Sequence, residues 1–134
     1  MKHIILVVFA VMLAGCAVGQ VGPTPAQQEA FRQQHPAPFC TTHNQCEQMF
    51  YRARQFVIER SAFRLAQITP DYLETYQSTS WVDNGLSFRV QKVPDGQGNY
   101  WINAEIWCRS GQCNPWRALA EFNAFVAQRS VAIR

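Results

Sequence analysis

Residues 86–108 read LSFRVQKVPDGQGNYWINAEIWC, and this stretch decides the fold. Apolar side chains occupy every second position in both halves: Leu86, Phe88 and Val90, then Tyr100, Ile102, Ala104, Ile106 and Cys108. A two-residue period is that of a β-strand with one buried face. Pro94-Asp95-Gly96 lies between the halves and carries turn chemistry. The stretch therefore predicts two antiparallel strands, 86–93 and 100–108, joined by a tight connection.

Two shorter strands are predicted before this hairpin, at residues 63–68 and 72–79, with the turn Thr69-Pro70-Asp71 between them. An amphipathic helix is predicted before the strands, over residues 45–61. Its apolar side chains recur at steps of three and four: Cys46, Met49, Phe50, Ala53, Phe56 and Val57. Asn44 and Glu47 have the spacing of a capping box at its start.

A final helix is predicted to start at Asn114-Pro115, since proline is favoured at the first helical position. Its buried stripe would consist of Ala118, Leu119, Phe122, Phe125 and Val126. The predicted elements are a helix, a four-stranded antiparallel sheet and a second helix. This order predicts a two-layer α+β domain in which the helices cover one face of the sheet.

The chain begins with the three-part layout of a secretory signal peptide. A short basic start is followed by an unbroken apolar run at residues 4–13 and by small residues just before Cys16. Ten helical residues span only about 15 Å, roughly half of a hydrocarbon core, so the run is too short for a conventional transmembrane helix. We expect export, followed by removal of residues 1–15.

The residues Leu-Ala-Gly-Cys ending at Cys16 resemble the lipobox of bacterial lipoproteins. That resemblance implies a diacylglycerol on the Cys16 thiol, cleavage before Cys16 and an acylated amine, which together anchor a protein stably to a membrane. Ala17 after the cysteine, rather than Asp, favours the outer membrane, facing the periplasm. The alternative is ordinary cleavage that leaves Cys16 as a free, odd thiol.

Residues 16–39 are rich in Gly, Pro and Gln and poor in large apolar side chains. Such a composition predicts a flexible tether after the lipidated cysteine. Within this tether, residues 25–34 could form one short helix. The folded domain is expected to occupy residues 40–134.

Four cysteines remain besides the lipidation site, and an even number in a small exported chain favours two disulfides. The local pairs Cys40–Cys46 and Cys108–Cys113 are favoured because each would tie a loop to the start of a helix. The competing set joins Cys46 to Cys108, both on predicted core faces, and Cys40 to Cys113.

A zinc site is the other interpretation of the first cysteine pair, since His35, Cys40, His43 and Cys46 are ligand types that zinc accepts. Their spacing is not that of a paired-ligand finger, and oxidation in the periplasm would consume the thiols. We expect no metal and no cofactor. The absence of Cys-x-x-Cys from the sequence excludes thioredoxin-like redox chemistry and covalent haem attachment.

No catalytic residue is predicted. The two histidines of the mature chain lie in the tether and at the first helix start, and no serine lies in a Gly-x-Ser-x-Gly elbow. Glu74 and Glu105 could face each other across the sheet as a glycosidase-like pair, although Arg64 and Arg89 are equally suited to be their surface partners. The sequence therefore favours a protein that is not an enzyme.

The polar side of the last strand is the candidate binding face, formed by Trp101, Asn103, Glu105 and Trp107 with Arg89 beside them. Tryptophans interleaved with polar groups provide the rigid apolar area and the hydrogen bonds that binding a protein, peptide or glycan requires. The alternative is that the tether, a loop or the curvature of the sheet covers both rings, because tryptophan is usually largely buried.

The stretches CTTHNQCEQMF at residues 40–50 and WCRSGQCNPW at residues 107–116 together resemble a group of small Gram-negative lipoproteins without an assigned activity. The resemblance covers roughly residues 40–128. It implies export, lipidation and one compact domain, and it carries over no catalytic residue.

Three functions are open to such a chain. The first is a lipid-anchored, non-enzymatic envelope lipoprotein that binds an envelope protein or peptidoglycan. The second is a periplasmic inhibitor of a lysozyme-like enzyme that inserts the turn at residues 94–99 into the enzyme's cleft. The third is a small lipid carrier or a hydrolase. A net charge of +3 without a basic run gives no reason to expect nucleic-acid binding.

Overall fold

The computed structural model describes residues 22–128 of the chain. Three helices and five strands follow one another in this order: α1 (Pro25–Gln34), β1 (Phe39–Cys40), α2 (His43–Arg60), β2 (Leu65–Ile68), β3 (Tyr72–Thr75), β4 (Ser87–Pro94), β5 (Tyr100–Trp107) and α3 (Pro115–Ala127). The strands form one antiparallel sheet with the order β1-β5-β4-β3-β2. The α+β class expected from the sequence is confirmed.

The sheet has five strands, so the prediction of four was wrong. The additional strand is β1, in which Phe39 and Cys40 pair with Trp101 and Tyr100. Two residues are too short for an alternating pattern to be visible in the sequence, and their pairing depends on β5, which lies about sixty positions further along the chain. The four strands that were predicted are all present: β2, β3 and β5 are shorter than predicted, and β4 is shifted by one residue, to Ser87–Pro94.

The start of α2 also differs from the prediction, because Thr42 caps the helix rather than Asn44. The hydroxyl of Thr42 accepts a hydrogen bond from the backbone N–H of Gln45 at 3.1 Å. Thr42 is extended and directly precedes the helical residues, which is the position from which a short side chain can reach the free N–H groups of the first turn. The predicted cap of α3 is confirmed: Asn114 accepts from the N–H of Arg117, with Pro115 at the first position.

The hydrophobic core lies between the sheet and the two long helices, α2 and α3. Phe56 of α2 is at its centre, with its ring centroid 6.2 Å from that of Phe88 in β4 and 5.5 Å from that of Phe122 in α3. Both contacts are edge-to-face, the arrangement that the ring quadrupoles favour. The buried apolar set also includes Met49, Ala53, Val57, Leu73, Val90, Ile102 and Val126. One face of the sheet is thus covered by helices, as predicted.

The segment that we expected to be a tether contributes to the folded domain. The short helix over residues 25–34 is present, with a capping box between Thr24 and Gln27. The carbonyl of His35 then accepts a hydrogen bond from Asn123 of α3, and that of Pro38 accepts one from the N–H of Ile102. Residues 35–39 therefore run along the domain. The predicted signal peptide and the predicted lipidation site Cys16 lie outside the described residues.

Two disulfides link the pairs favoured from the sequence. Cys40–Cys46 joins β1 to the first turns of α2, and Cys108–Cys113 closes the connection from β5 to α3, with Cα atoms 5.2 and 6.2 Å apart. Each bond fixes the approach of a strand to a helix. None of the helices between residues 22 and 128 combines the length and the apolar character that a membrane crossing requires.

Candidate binding face of the sheet

The register of β4 and β5 brings the five predicted residues of the binding face together. Arg89 lies opposite Glu105, and Gln91 lies opposite Asn103. In β5, Trp101 precedes Asn103 by two positions and Trp107 follows Glu105 by two positions. The side chains of these four residues therefore point to the same side of the sheet. The helices α2 and α3 pack against the other side. We call this surface the outer sheet face; its members are Tyr72, Glu74, Arg89, Gln91, Trp101, Asn103, Glu105 and Trp107.

Arg89 is at the centre of the outer sheet face and binds a carboxylate on each side. One terminal nitrogen lies 3.0 Å from Glu74 on β3, and the other lies 3.1 Å from Glu105 on β5. The guanidinium also lies over the ring of Trp107, 5.6 Å from its centroid. A planar cation held by two carboxylates and an aromatic ring has little freedom to reorient. The middle of the face is therefore rigid.

Tyr72 extends this network across β3. Its hydroxyl donates a hydrogen bond of 2.7 Å to Glu74, and this bond, followed by that from Arg89, lowers the pKa of the Glu74 carboxyl. The same interaction with Glu74 raises the pKa of the Tyr72 hydroxyl. A general acid needs a carboxyl whose pKa is raised, so the lowered pKa of Glu74 does not suit the general-acid role in a glycosidase pair. Glu74 and Glu105 act instead as the two anionic partners of one arginine.

Trp101 marks the end of the face next to β1. Its side is partly covered by Phe39, whose ring centroid lies 4.5 Å away, and 39% of Trp101 remains exposed. Asn103 and Glu105 are exposed, and Trp107 is half-buried under Arg89. Of the covering considered from the sequence, the structure shows Phe39 against Trp101 and the Arg89 guanidinium over Trp107. Exposed polar groups lie between two aromatic rings.

A groove of about 520 Å³ continues from this face around the edge of β5. The residues on its far side belong to α1, to the segment that follows α1, and to α3. Its larger side chains are Phe31, Arg32, Trp101, Trp116 and Leu119. By contrast, the space between the sheet and the helices, where a lipid carrier would need a deep pocket, is occupied by Phe56, Phe88 and Phe122.

The turn between β4 and β5 is organised by Asp95. Its carboxylate accepts hydrogen bonds from the Asn99 side chain and from the backbone N–H groups of Gln97 and Asn99, and these bonds lower the pKa of Asp95. Gly96 and Gly98 both have positive φ, at 86° and 88°, which glycine adopts without strain. The polar groups of Asp95 and Asn99 are thus used inside the turn, as in an ordinary hairpin.

Cys40 and Cys46 form a disulfide, so neither thiol is available to the zinc site considered from the sequence. Among residues 22–128, no group of three or more His, Cys, Asp and Glu side chains has the geometry to hold a metal ion.

Two residues were missed from the sequence: Tyr72, a member of the outer sheet face, and Phe39, which packs against Trp101 at its end. Tyr72 and Glu74 alternate on β3 in the same sense as Arg89 and Gln91 on β4, so knowledge of the strand register would have found Tyr72. The exposed ring of Trp81, which lies outside this face in the loop before β4, was also missed. Trp81 is 72% exposed, and the guanidinium of Arg109 lies 4.1 Å from its ring centroid.

Comparison of the chain with protein-family models, with curated proteins and with solved structures gives no match.

Proposed function

We propose that this protein is a non-enzymatic, lipid-anchored module of the bacterial cell envelope that binds another envelope protein through the outer sheet face. The observation that supports this proposal best is the row Trp101, Asn103, Glu105 and Trp107, held in place by Arg89. It combines aromatic area at both ends with exposed hydrogen-bonding groups between them. Aromatic and arginine side chains are the residues that most often dominate binding energy at protein interfaces.

The rigidity of the face supports the same proposal. Arg89 is bound by Glu74 and Glu105, so it loses little conformational freedom when a partner docks. Arg89 carries one positive charge and its two carboxylate partners carry two negative charges, so the face presents a mixed polar and aromatic surface with a small negative excess rather than a basic one. A surface of this kind suits a folded protein better than a phosphate-rich ligand.

The lipid anchor is the second part of the proposal and rests on the lipobox-like sequence at Cys16. Metabolic labelling with an alkyne fatty acid should label the wild-type protein in a Gram-negative host, whereas Cys16→Ser should remove the label and leave an uncleaved precursor. Ala17→Asp should keep the label and move the protein from the outer to the inner membrane fraction. Absence of label on the wild-type protein would refute the anchor.

In-cell photocrosslinking tests the binding face. A photoreactive residue at Asn103, in the middle of the face, should capture one defined envelope protein. The same residue at Gln48, an exposed position of α2 on the opposite side of the domain, is the matched control. Capture should disappear when Trp101 or Trp107 is replaced by alanine.

Equal capture from Asn103 and Gln48, or capture that survives both alanine substitutions, would contradict this role of the outer sheet face. Crosslinks to peptidoglycan fragments alone would replace the protein partner with the cell wall.

A further inference from the structure

The loop between β3 and β4 exposes large apolar side chains. Trp81 and Val82 are 72% and 85% exposed, and Tyr76 at the start of the loop is 60% exposed. Trp81 and Val82 occupy the two central positions of a turn in which the N–H of Asp83 donates to the carbonyl of Ser80 at 3.3 Å. Such positions are ordinarily taken by glycine, proline and small polar residues. We call Trp81 and Val82 the apolar turn.

Contacts with the connection from β5 to α3 hold the apolar turn in place. The guanidinium of Arg109 lies 4.1 Å from the centroid of the Trp81 ring and donates to the carbonyl of Ser78 at 3.2 Å. On the other flank, the Ser110 hydroxyl donates to the side chain of Asn84 at 2.6 Å. The second disulfide closes this connection. The apolar turn is therefore already ordered, and docking it on a partner costs little conformational entropy.

The chain enters the domain at the end that carries the apolar turn. The register of β4 and β5 brings the start of β4, the end of β5 and hence the start of α3 to one end of the sheet. The helix α1 runs beside α3 in the same direction, since Phe31 contacts Trp116 and the carbonyl of His35 accepts from Asn123. The first residues of α1 therefore lie toward the start of α3, at the end where the apolar turn is.

The distance from this end to Cys16 along the chain is short. Five residues separate Cys16 from Gly22, the first residue that the structure describes. Six peptide steps reach at most about 20 Å. A lipid on Cys16 would thus keep the end of the domain with the apolar turn nearest to the bilayer, and the turn between β4 and β5 at the opposite end.

The composition of this end suits a lipid surface. In the three connecting segments that meet there, residues 61–64, 76–86 and 108–114, the charged residues are Arg64, Asp83 and Arg109. Two arginines and one aspartate leave one positive charge, so charge contributes little to the choice of partner. Tryptophan and arginine both combine an apolar body with a polar group, and tryptophan is enriched at the level of lipid headgroups. An exposed patch that is apolar and nearly neutral is typical of contact with a membrane or a protein, and the short link to Cys16 favours the membrane.

We propose that the apolar turn inserts into the headgroup region of the membrane in which Cys16 is anchored, with Arg109 at the level of the lipid phosphates. The binding free energy comes from the apolar area that leaves water. This inference rests on the lipid anchor of the proposed function, but it uses residues outside the outer sheet face. The strands then run away from the membrane, and Trp101 lies about 20 Å farther out than Trp107, so the outer sheet face stays accessible.

Quenching by brominated lipid tests the proposal. The lipidated protein, expressed from its full sequence, is reconstituted into phosphatidylcholine vesicles in which part of the lipid carries bromine on its acyl chains. In a single-tryptophan variant that keeps Trp81, the emission should be quenched and shifted to shorter wavelength. The variant that keeps Trp101, at the opposite end of β5, is the matched control and should be neither quenched nor shifted.

A charge placed in the apolar turn gives the second comparison. Val82→Glu should abolish the quenching of Trp81, because a carboxylate is costly to remove from water. Gln97→Glu puts the same residue at an exposed position of the turn between β4 and β5 and should leave the quenching unchanged. Both positions are exposed, so the urea midpoints of the two variants should equal that of the wild type.

The contrary outcomes separate this inference from the rest of the proposed function. Trp81 that stays unquenched in vesicle-bound, lipidated protein would refute the insertion and leave the anchor standing. Equal quenching of Trp81 and Trp101, or quenching that survives Val82→Glu, would also refute it. Capture of a protein in cells by a photoreactive residue at Val82 would replace the lipid with a protein partner. Quenching of Trp81 on added vesicles without any lipid on Cys16 would support the insertion and remove the anchor.

Discussion

The ammonium group of Lys92 lies 2.8 Å from a carboxylate oxygen of Glu47, linking the core side of the sheet to the first turns of α2. Lys92 follows Phe88 and Val90 in the alternation of β4, so its side chain enters the face that the helices cover, and it is only 5% exposed. Its nitrogen also lies 3.5 Å from Asp71 and 5.1 Å from the centroid of the Phe50 ring. A buried cation is thus neutralised at the border between core and solvent.

Lys92→Ala should lower the free energy of unfolding by about 1–3 kcal/mol, because it removes both the packing of the aliphatic stem and the cation. Lys92→Met keeps the stem over Phe50 and should cost less than about 1 kcal/mol, since an apolar side chain of similar volume can replace a buried ion pair. Urea unfolding of the two variants measures the difference. A loss for Lys92→Met equal to that for Lys92→Ala would show that the charge itself is essential.

The pH dependence of the free energy of unfolding should reveal the contribution of the Lys92–Glu47 pair. The hydrogen bond from Lys92 and its charge lower the pKa of Glu47 from its ordinary value of 4.5. A carboxyl with a lowered folded pKa adds stability above its unfolded pKa, and that contribution is lost as the pH falls through the folded pKa. The stability difference between the wild type and Glu47→Gln should therefore be constant near neutral pH and shrink in acid below pH 4.5.

Glu59→Gln is the control for this comparison, since it removes an exposed carboxylate of α2 that forms no ion pair within residues 22–128. Parallel acid profiles for the wild type and Glu47→Gln would contradict a stabilising role for the pair.

The two disulfides should contribute unequally to the free energy of unfolding. Closing loops of this length accounts for about 2 kcal/mol each in the chain-entropy model. Cys40 and Cys46 are in addition buried in the core, whereas Cys108 and Cys113 are half-buried. The double substitution Cys40→Ser with Cys46→Ser should therefore lower the urea midpoint more than Cys108→Ser with Cys113→Ser, because it also places two hydroxyls in an apolar site. The reverse order would contradict this assignment.

Gly85 should not tolerate a side chain. A Cβ at this position would lie 2.6 Å from the Cβ of Ala62 and 3.0 Å from the ring of Phe63, closer than carbon atoms pack. Gly85→Ala should destabilise the domain by about 1–3 kcal/mol through this crowding. Gly22→Ala, where no atom lies within 4 Å of the added Cβ, is the control and should leave the melting temperature unchanged.

The four tryptophans should differ in their access to solvent. Single-tryptophan variants, made by replacing the other three with phenylalanine, should be quenched by iodide most strongly for Trp81, less for Trp101 and Trp116, and least for Trp107. The order follows the exposed fractions of 72%, 39% and 37% and the half-buried position of Trp107 under Arg89. Complete shielding of Trp101 would argue against the outer sheet face as a docking surface.

Local features were predictable from the sequence because their causes are local. The alternation over residues 86–108 predicted the β4–β5 hairpin, and the Asn114-Pro115 pair predicted the start of α3. The two disulfides join cysteines six and five positions apart, and this pairing was favoured because each bond ties a loop to the start of a nearby helix. The β4 and β5 residues of the outer sheet face followed from the same alternation, whereas Tyr72 on β3 did not.

Features that depend on contacts between distant segments were not predictable. The strand β1 has only two residues and exists through its pairing with β5, and the sharing of Arg89 between Glu74 and Glu105 required the register of three strands. The contact of Asn123 with His35 joins residues 88 positions apart. No periodic pattern in the sequence shows which distant strands pair with each other.

The sequence by itself determined the α+β class, the order of the main elements and the face on which the residues of β4 and β5 lie, and it favoured the disulfide pairs that form, since these follow from side-chain period and from residues that start helices. The tertiary structure alone decided that Lys92 would be paired with Glu47 and that residues 35–39 would lie against the sheet. Those outcomes depend on how the layers pack, because packing selects among many local arrangements that the sequence pattern permits equally.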